Sequence, residues 1–415
     1  MLEQKKIAKL LELIVKLGVG YNEKVIEYAM PDKPPMKIRT LGCVPEALEH
    51  FKDLISSIKN NPNLNAIFGN KLYNLGDIYT EFKPESLGIW LLTRTIQSCA
   101  VNAVDELDKF VKLGYTPAFR IMSISGLRME GSIRINDNLS LISIEELRES
   151  YQKFQAAPKQ IPDTSFRGGS YTADSKYPTV TLKKSIRIQT TKEQQALYSK
   201  EDDDELEEFC AFLVLHNKAS PMIFHEWTEL EERVPRPEHH LSGFHGGGSE
   251  LNYLIETSIN ETDWTSLAPL YNKYIKLSHE DRVVIKVALF RIRNSKVRWN
   301  VTDRAIDLAI ALESILLTKK QEDKLRFKFS DRASYLLHQS TEERSKLTHL
   351  FKKLYDCRSD AVHNGEVKKH YNSFEQEPIK VAEFLDVATE HSIQIFKNII
   401  LLGSIPDWIK INTAP

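Results

Sequence analysis

Cysteine is scarce in this sequence. Cys43, Cys99, Cys210 and Cys357 stand far apart and form no CxxC pair. That spacing indicates neither a zinc site nor a disulfide framework, and no metal or cofactor is expected; a reducing cytoplasm fits such a chain. Surplus charge is also missing. Lys and Arg number 56 against 57 Asp and Glu, a formal net charge of −1, so any nucleic-acid surface has to be a local patch. No run of about 18 uninterrupted apolar residues occurs, so no membrane span is expected. The opening stretch MLEQKKIAKLLELIVKLGVGY is apolar only at helical spacing, with Lys and Glu between, and so lacks a signal-peptide core. A GxxxxGK[ST] phosphate loop is absent, and GFHGGGSE (243–250) lacks its Lys-Ser/Thr ending.

What is present is ordinary globular material. Hydrophobic residues make up 41% and charged residues 27% of 415. At about 100–200 residues per domain that suggests two or three domains. Helical spacing predicts helices over 3–17, 45–59 and 84–113, with a Pro-rich break at Pro31, Pro34 and Pro35. Near residue 118 the pattern changes. FRIMSISGLRMEGSIRINDNLSLISI (119–144) alternates apolar and polar residues with Gly and Asn-Asp punctuation, as strands and turns do. TVTLKKSIRIQTT (179–191) and EFCAFLVLH (208–216) read as further strands, and the acidic run EDDDELEE (201–208) as a solvated loop or helix start. VPRPEHHLSGFHGGGSE (234–250) reads as a linker; His239, His240 and His245 suit an exposed flexible segment better than a metal site. Beyond it the chain turns helical, over roughly 264–276, 279–295, 302–318, 328–338, 341–364 and 376–402. Ser278 with Asp281, and Ser340 with Glu343, resemble capping boxes.

The expected architecture is α+β. A helical region covers 1–115, a β-rich region 116–235, a linker 236–255 and an all-α helical bundle 256–415.

One stretch draws chemical attention: LFKKLYDCRSDAVHNGEV, residues 350–367. Leu347, Leu350, Phe351 and Leu354 form an apolar seam on which Arg358 is the next residue. An inward guanidinium is costly unless it is paired. His363 follows in the last turn, ahead of Asn364-Gly365, a natural left-handed stop. Upstream, Glu313 projects into an apolar sector of the helix built by DRAIDLAIALESILL (303–317). A buried carboxylate needs a cation, and either Arg358 or Arg332 would serve. Arg332 is alternatively a phosphate ligand. His391 sits on an apolar face and reads as a core histidine. Arg291, Arg293, Lys296 and Arg298, close to Trp299, form a basic cluster that suits either an RNA backbone or a solvated helix end.

Three pieces in order, DLAIALESILL (307–317), FSDRASYLL (329–337) and LYDCRSDAVHNG (354–365), resemble HEPN domains, in the ApeA-like branch of bacterial anti-phage proteins. The resemblance covers roughly 256–405 and includes the family's Arg-x4-6-His signature as Arg358-SDAV-His363. Many members have Asn, Asp or His directly after the Arg; Ser359 stands there in this chain. Residues 118–145 and 208–227 loosely resemble the region that precedes the HEPN part.

The resemblance implies a metal-independent ribonuclease with Arg358 and His363 as catalytic residues and Glu313, Arg332, Ser359 and Asn364 in support. It implies RNA as substrate, tRNA included, cleaved to leave 2′,3′-cyclic phosphate ends. It implies a homodimer, an antiviral role, and a phage-derived trigger acting through residues 1–235. Two alternatives stay open: a non-catalytic HEPN-fold RNA-binding scaffold, in which Arg358 is an ion-pair anchor and His363 a helix cap, and the toxin of a toxin–antitoxin pair.

Overall fold

A computed structural model describes residues 2–26, 36–64, 72–74, 79–81, 83–113, 115–147, 153, 179–189, 200–216, 218–231, 233–235, 242–243, 257–317, 323–337 and 340–411. The fold is mixed α+β, with its main sheet in the N-terminal half and helices dominating the C-terminal half. It divides into two compact units. One comprises Met1–Ile121, Lys183–Asp203 and Glu226–Phe244; the other comprises Met122–Leu182, Asp204–His225 and His245–Pro415. Among the described residues no helix is long and apolar enough to cross a membrane.

The first unit opens with helix α1 (Leu2–Gly18), whose Ile7, Leu11 and Ile14 are buried at spacings of four and three. Strands β1 (Val19–Ile26) and β2 (Met36–Cys43) pair antiparallel from Val19↔Cys43 to Ile26↔Met36. Helix α2 (Pro45–Asn60) begins on Pro45, where a missing N–H leaves no intrahelical bond unmade. Strands β3 (Leu72–Asn74) and β4 (Tyr79–Glu81) form a second antiparallel pair. These two pairs add strands to the helical region read over 1–115; Pro31, Pro34 and Pro35 lie outside the described residues.

The single helix expected over 84–113 is two, α3 (Pro84–Gln97) and α4 (Ala100–Leu113). Ser98 breaks the run with φ −137° and ψ −89°, and its N–H still reaches the Arg94 carbonyl. Arg94 then donates to both oxygens of Glu106, at 2.6 and 2.8 Å, which ties the hairpin. The apolar spacing continues through this break, so periodicity alone could not reveal it. Gly88 on α3 lies close to α2: a Cβ there would lie 2.6 Å from Ile55 Cδ1 and 3.1 Å from Phe51 Cε2, so these side chains would have to shift.

Strands β5 (Tyr115–Ser125), β6 (Leu127–Arg128), β7 (Ser132–Arg134), β8 (Leu139–Ser143) and β9 (Val180–Gln189) follow. Helix α5 (Lys200–Phe212), β10 (Met222–Leu230) and β11 (Ser242–Gly243) come next. The main sheet has the order β11-β10-β5-β9-β8-β7. Between β7 and β8 the Asn136 side chain accepts from the N–H groups of Asn138 and Leu139, both at 2.8 Å, so the Asn-Asp punctuation is a turn.

The strand expected over 208–216 is instead the end of α5 followed by a 3-10 turn, Leu213–Leu215. Every residue from Glu208 to His216 is buried, which erases the amphipathic period that would mark a helix. The acidic run is the first half of this helix, where carboxylates favour the dipole. The linker region 236–255, apart from 242–243, and with it His239, His240 and His245, lies outside the described residues.

In the second unit β12 (Thr257–Ser258) lies parallel to β6. Helices α6 (Glu261–Tyr274), α7 (His279–Val297), α8 (Val301–Leu316), α9 (Leu325–Leu337) and α10 (Thr341–Asn364) follow. A short hairpin, β13 (His370–Asn372) and β14 (Pro378–Lys380), precedes α11 (Val381–Leu402). The bundle is thus not all-α, and the helix expected from 376 starts at Val381. Ser278 caps α7 by accepting from Asp281 N–H at 3.1 Å, whereas Ser340 makes no side-chain cap bond on α10. Asn260 and Asp263 form a full capping box on α6. Gly403, at φ 84°, stops α11 with bonds to the carbonyls of Ile399 and Ile400. The C-terminal tail then returns to the bundle through buried Trp408.

Candidate functional site

Helix α8 is apolar on most sides; Ala305, Leu308, Ala311, Leu312, Ile315 and Leu316 are buried. Glu313 is half-buried among them. Helix α10 packs against both α8 and α9 through Leu347, Phe351, Leu354, Cys357 and Ala361. Cys357, not Arg358, thus takes the core position after Leu354, and Leu350 is only partly buried. Arg358 lies on the flank of that seam, facing α8.

Arg358 meets Glu313 there. Its Nε lies 3.3 Å from one carboxylate oxygen and its Nη2 donates to the other at 3.4 Å. The two side chains are 28% and 21% exposed. Burial pushes the Glu313 carboxyl above the ordinary glutamate value, against the pull of the Arg358 guanidinium. The contact is side-on: one edge of the guanidinium faces the carboxylate, while Nη1 has no partner among the described residues.

His363 is exposed in the last turn of α10, one residue before Asn364 ends the helix and Gly365 turns at φ 74°. Its ring makes no hydrogen bond or ion pair among the described residues. Five residues separate it from Arg358, a rotation of about 140° on an α-helix. The two groups therefore leave the helix on different sides within one chain. Ser359 is half-buried, and Asn364 and Val362 are exposed beside the imidazole.

Arg332 is placed elsewhere. It is 5% exposed, donates to the Leu316 carbonyl at 2.6 Å and stacks over the Trp408 ring at 5.2 Å. Trp408 Nε1 in turn donates to the Ile315 carbonyl at 2.8 Å. Arg332 therefore joins the end of α8 to the C-terminal tail; it is neither the partner of Glu313 nor open to a phosphate.

The basic cluster also has internal partners. Arg291 and Arg298 grip the two oxygens of buried Asp307 at 2.7 and 2.6 Å. Lys296 donates to the Ala219 carbonyl, and burial pushes its ammonium down to about 8. Arg293 lies over the Phe290 ring at 4.4 Å. Sequence reading missed Asp307 because an acid on an apolar helix gives no sign of which cations reach it. His391 is half-buried on α11 and has interactions of its own.

Two cavities of the second unit lie away from Arg358 and His363. One, about 640 Å³, adjoins Tyr335, Asn398, Leu402 and Pro406; the other, about 1000 Å³, adjoins Glu130, Gly131, Glu146 and Lys153. Comparison of the chain with protein-family models, with curated proteins and with solved structures finds no match.

Proposed function

We propose that this chain is a metal-independent RNA endonuclease of the HEPN type, acting as a cytoplasmic homodimer in defence against phage. Residues 1–235 would sense infection or restrain the nuclease. One observation carries the reading: a guanidinium held side-on by a half-buried glutamate, on the same helix end that offers an exposed, unengaged imidazole. The resemblance over 256–405 supplies the reaction class, and the antiviral role rests on that resemblance.

In this reading the RNA 2′-oxygen attacks the adjacent phosphorus and the 5′-oxygen leaves. The products are a 2′,3′-cyclic phosphate and a 5′-hydroxyl. His363 takes the proton from the 2′-OH or gives one to the leaving oxygen, a role suited to imidazole chemistry. Arg358 stabilises charge on the phosphoryl oxygens with the guanidinium hydrogens that Glu313 leaves free. Glu313 is a positioning residue. Attack by a 2′-OH makes the enzyme blind to DNA.

A scaffold reading draws on the same geometry. Arg358 already has a carboxylate partner, and His363 leaves the helix about 140° away. The experiment is incubation of the full chain with tRNA and total RNA in EDTA. Cleavage that leaves cyclic phosphate ends and disappears in both Arg358→Ala and His363→Ala is the expected result. Binding without cleavage, equal in wild type and both variants, would establish the scaffold instead.

A further inference from the structure

We infer that the outer face of α10 is the track along which the RNA backbone reaches His363, with Lys352 and Lys353 as its phosphate contacts. This inference rests on the nuclease reading.

Its starting point is helix geometry. Lys352, Asp356, Ser359 and His363 follow one another at spacings of four, three and four. Eleven residues bring Lys352 within about 20° of His363 and about 16 Å along the axis, while Lys353 stands about 80° from His363 on the flank of that face; both lysines are half-buried. The buried seam of Leu347, Phe351, Leu354, Cys357 and Ala361 occupies the opposite side.

The charge balance along this face is uneven. Asp356 stands between Lys352 and His363, where it would repel a phosphate. Arg326 of α9 covers it with two hydrogen bonds, at 2.6 and 2.7 Å. The next carboxylate, Asp360, lies 3.6 Å from the Lys368 ammonium and accepts from the Tyr371 hydroxyl at 3.3 Å. Both acids are thus matched. Lys352 and Lys353 have no hydrogen bond or ion pair among the described residues, so they stand as surplus positive charge. Lys346, earlier on the helix, is matched by Glu342 and Glu343. In the Arg291–Arg298 cluster, Arg291 and Arg298 are held by Asp307, Lys296 by the Ala219 carbonyl, and Arg293 lies over the Phe290 ring.

Arg326 consequently acts on RNA through Asp356. The test measures binding of a single-stranded 2′-O-methyl RNA, which cannot be cleaved through its 2′-oxygen, to the full chain across a salt series. Each phosphate contact on a single strand contributes a slope of about 0.7 in log K against log salt, or about fivefold in affinity near 0.1 M. Lys352→Gln with Lys353→Gln should therefore weaken binding about 25-fold and lower the slope by about 1.4. Arg326→Gln should weaken binding, and adding Asp356→Asn should restore it. Lys346→Gln should change neither affinity nor slope.

An unchanged slope in the double lysine variant, no recovery from Asp356→Asn, or equal affinity for polyglutamate would overturn the track. Wild type that cleaves RNA while the lysine variants bind normally sinks the track alone. Wild type that neither binds nor cleaves RNA overturns both the track and the nuclease reading.

Discussion

The Glu313–Arg358 pair admits a quantitative test that needs no substrate. The perturbations are Glu313→Gln, Arg358→Met and the two together. At an effective dielectric of about 20, unit charges at the observed 3.3 Å attract by about 5 kcal/mol before desolvation is subtracted. The net is smaller. Exposed pairs give up to about 1 kcal/mol, and breaking a fully buried one costs about 3–5 kcal/mol. This pair lies between those limits, so a coupling of about 1.5 kcal/mol is expected at pH 8. With a urea m-value of about 3 kcal/mol/M, that equals a midpoint difference of about 0.5 M.

The coupling should also depend on pH in a determined direction. Burial raises the native Glu313 value above 4.5, so the folded chain keeps this proton to higher pH than the unfolded chain. The penalty of a buried carboxylate is absent below the unfolded value and grows as pH rises through the native one. Arg358→Met enlarges the penalty by removing the cation that offsets it. That variant should lose stability on going from pH 5 to pH 8 more steeply than wild type, and adding Glu313→Gln should flatten the curve. Urea unfolding followed by tryptophan fluorescence at the two pH values reads this out. A coupling below about 0.3 kcal/mol at pH 8, within the error of additivity, would refute the assignment of an energetic ion pair.

Two further predictions concern packing. Arg332→Met should destabilise the second unit by about 2–3 kcal/mol, because it leaves the Leu316 carbonyl without its donor and removes the stack on Trp408. RNA cleavage per folded molecule should be unchanged; lost activity with an unchanged melting curve would make Arg332 a phosphate ligand after all. Gly88→Ala should cost up to about 2 kcal/mol, because overpacking of about 1–3 kcal/mol against Ile55 is offset by about 1 kcal/mol of helix propensity, and Ile55→Ala should relieve the strain within the double variant. Additive losses on thermal melting would contradict that contact.

Legibility of the fold followed the period of the hydrophobic pattern. Helices with one wet side, such as α1 and α2, stood out because their apolar residues recur at three and four. The alternation of 119–144 marked β5 to β8 for the same reason. Where both sides of an element are buried, the period vanishes, and 208–216 passed for a strand. Breaks without Gly or Pro were equally silent. Ser98 ends α3 inside an unbroken apolar rhythm. Short strand pairs such as β1 with β2 carry no helical signal, and the segment between these two holds Pro31, Pro34 and Pro35.

At the site, the residues whose partners lie across a helix interface were the least legible. A carboxylate on the apolar side of α8 requires a cation somewhere; the sequence left Arg332 and Arg358 as equals, because both stand among apolar neighbours on helices of the same bundle. The difference is depth. Arg332 is nearly sealed and has carbonyl oxygens and an indole face within reach, and these satisfy a guanidinium without a counter-charge. Arg358 is shallower, because Cys357 fills the core position beside it, and there the carboxylate is the available acceptor. The same one-residue offset decides where His363 goes. With Cys357 and Ala361 turned inward, the residue two beyond Ala361 is carried about 200° around, away from the core. Within one copy of α10 the guanidinium is engaged by Glu313 and the imidazole leaves the helix about 140° away, so a nuclease built on these residues would use the substrate phosphate or a second copy of the chain to span the angle between them.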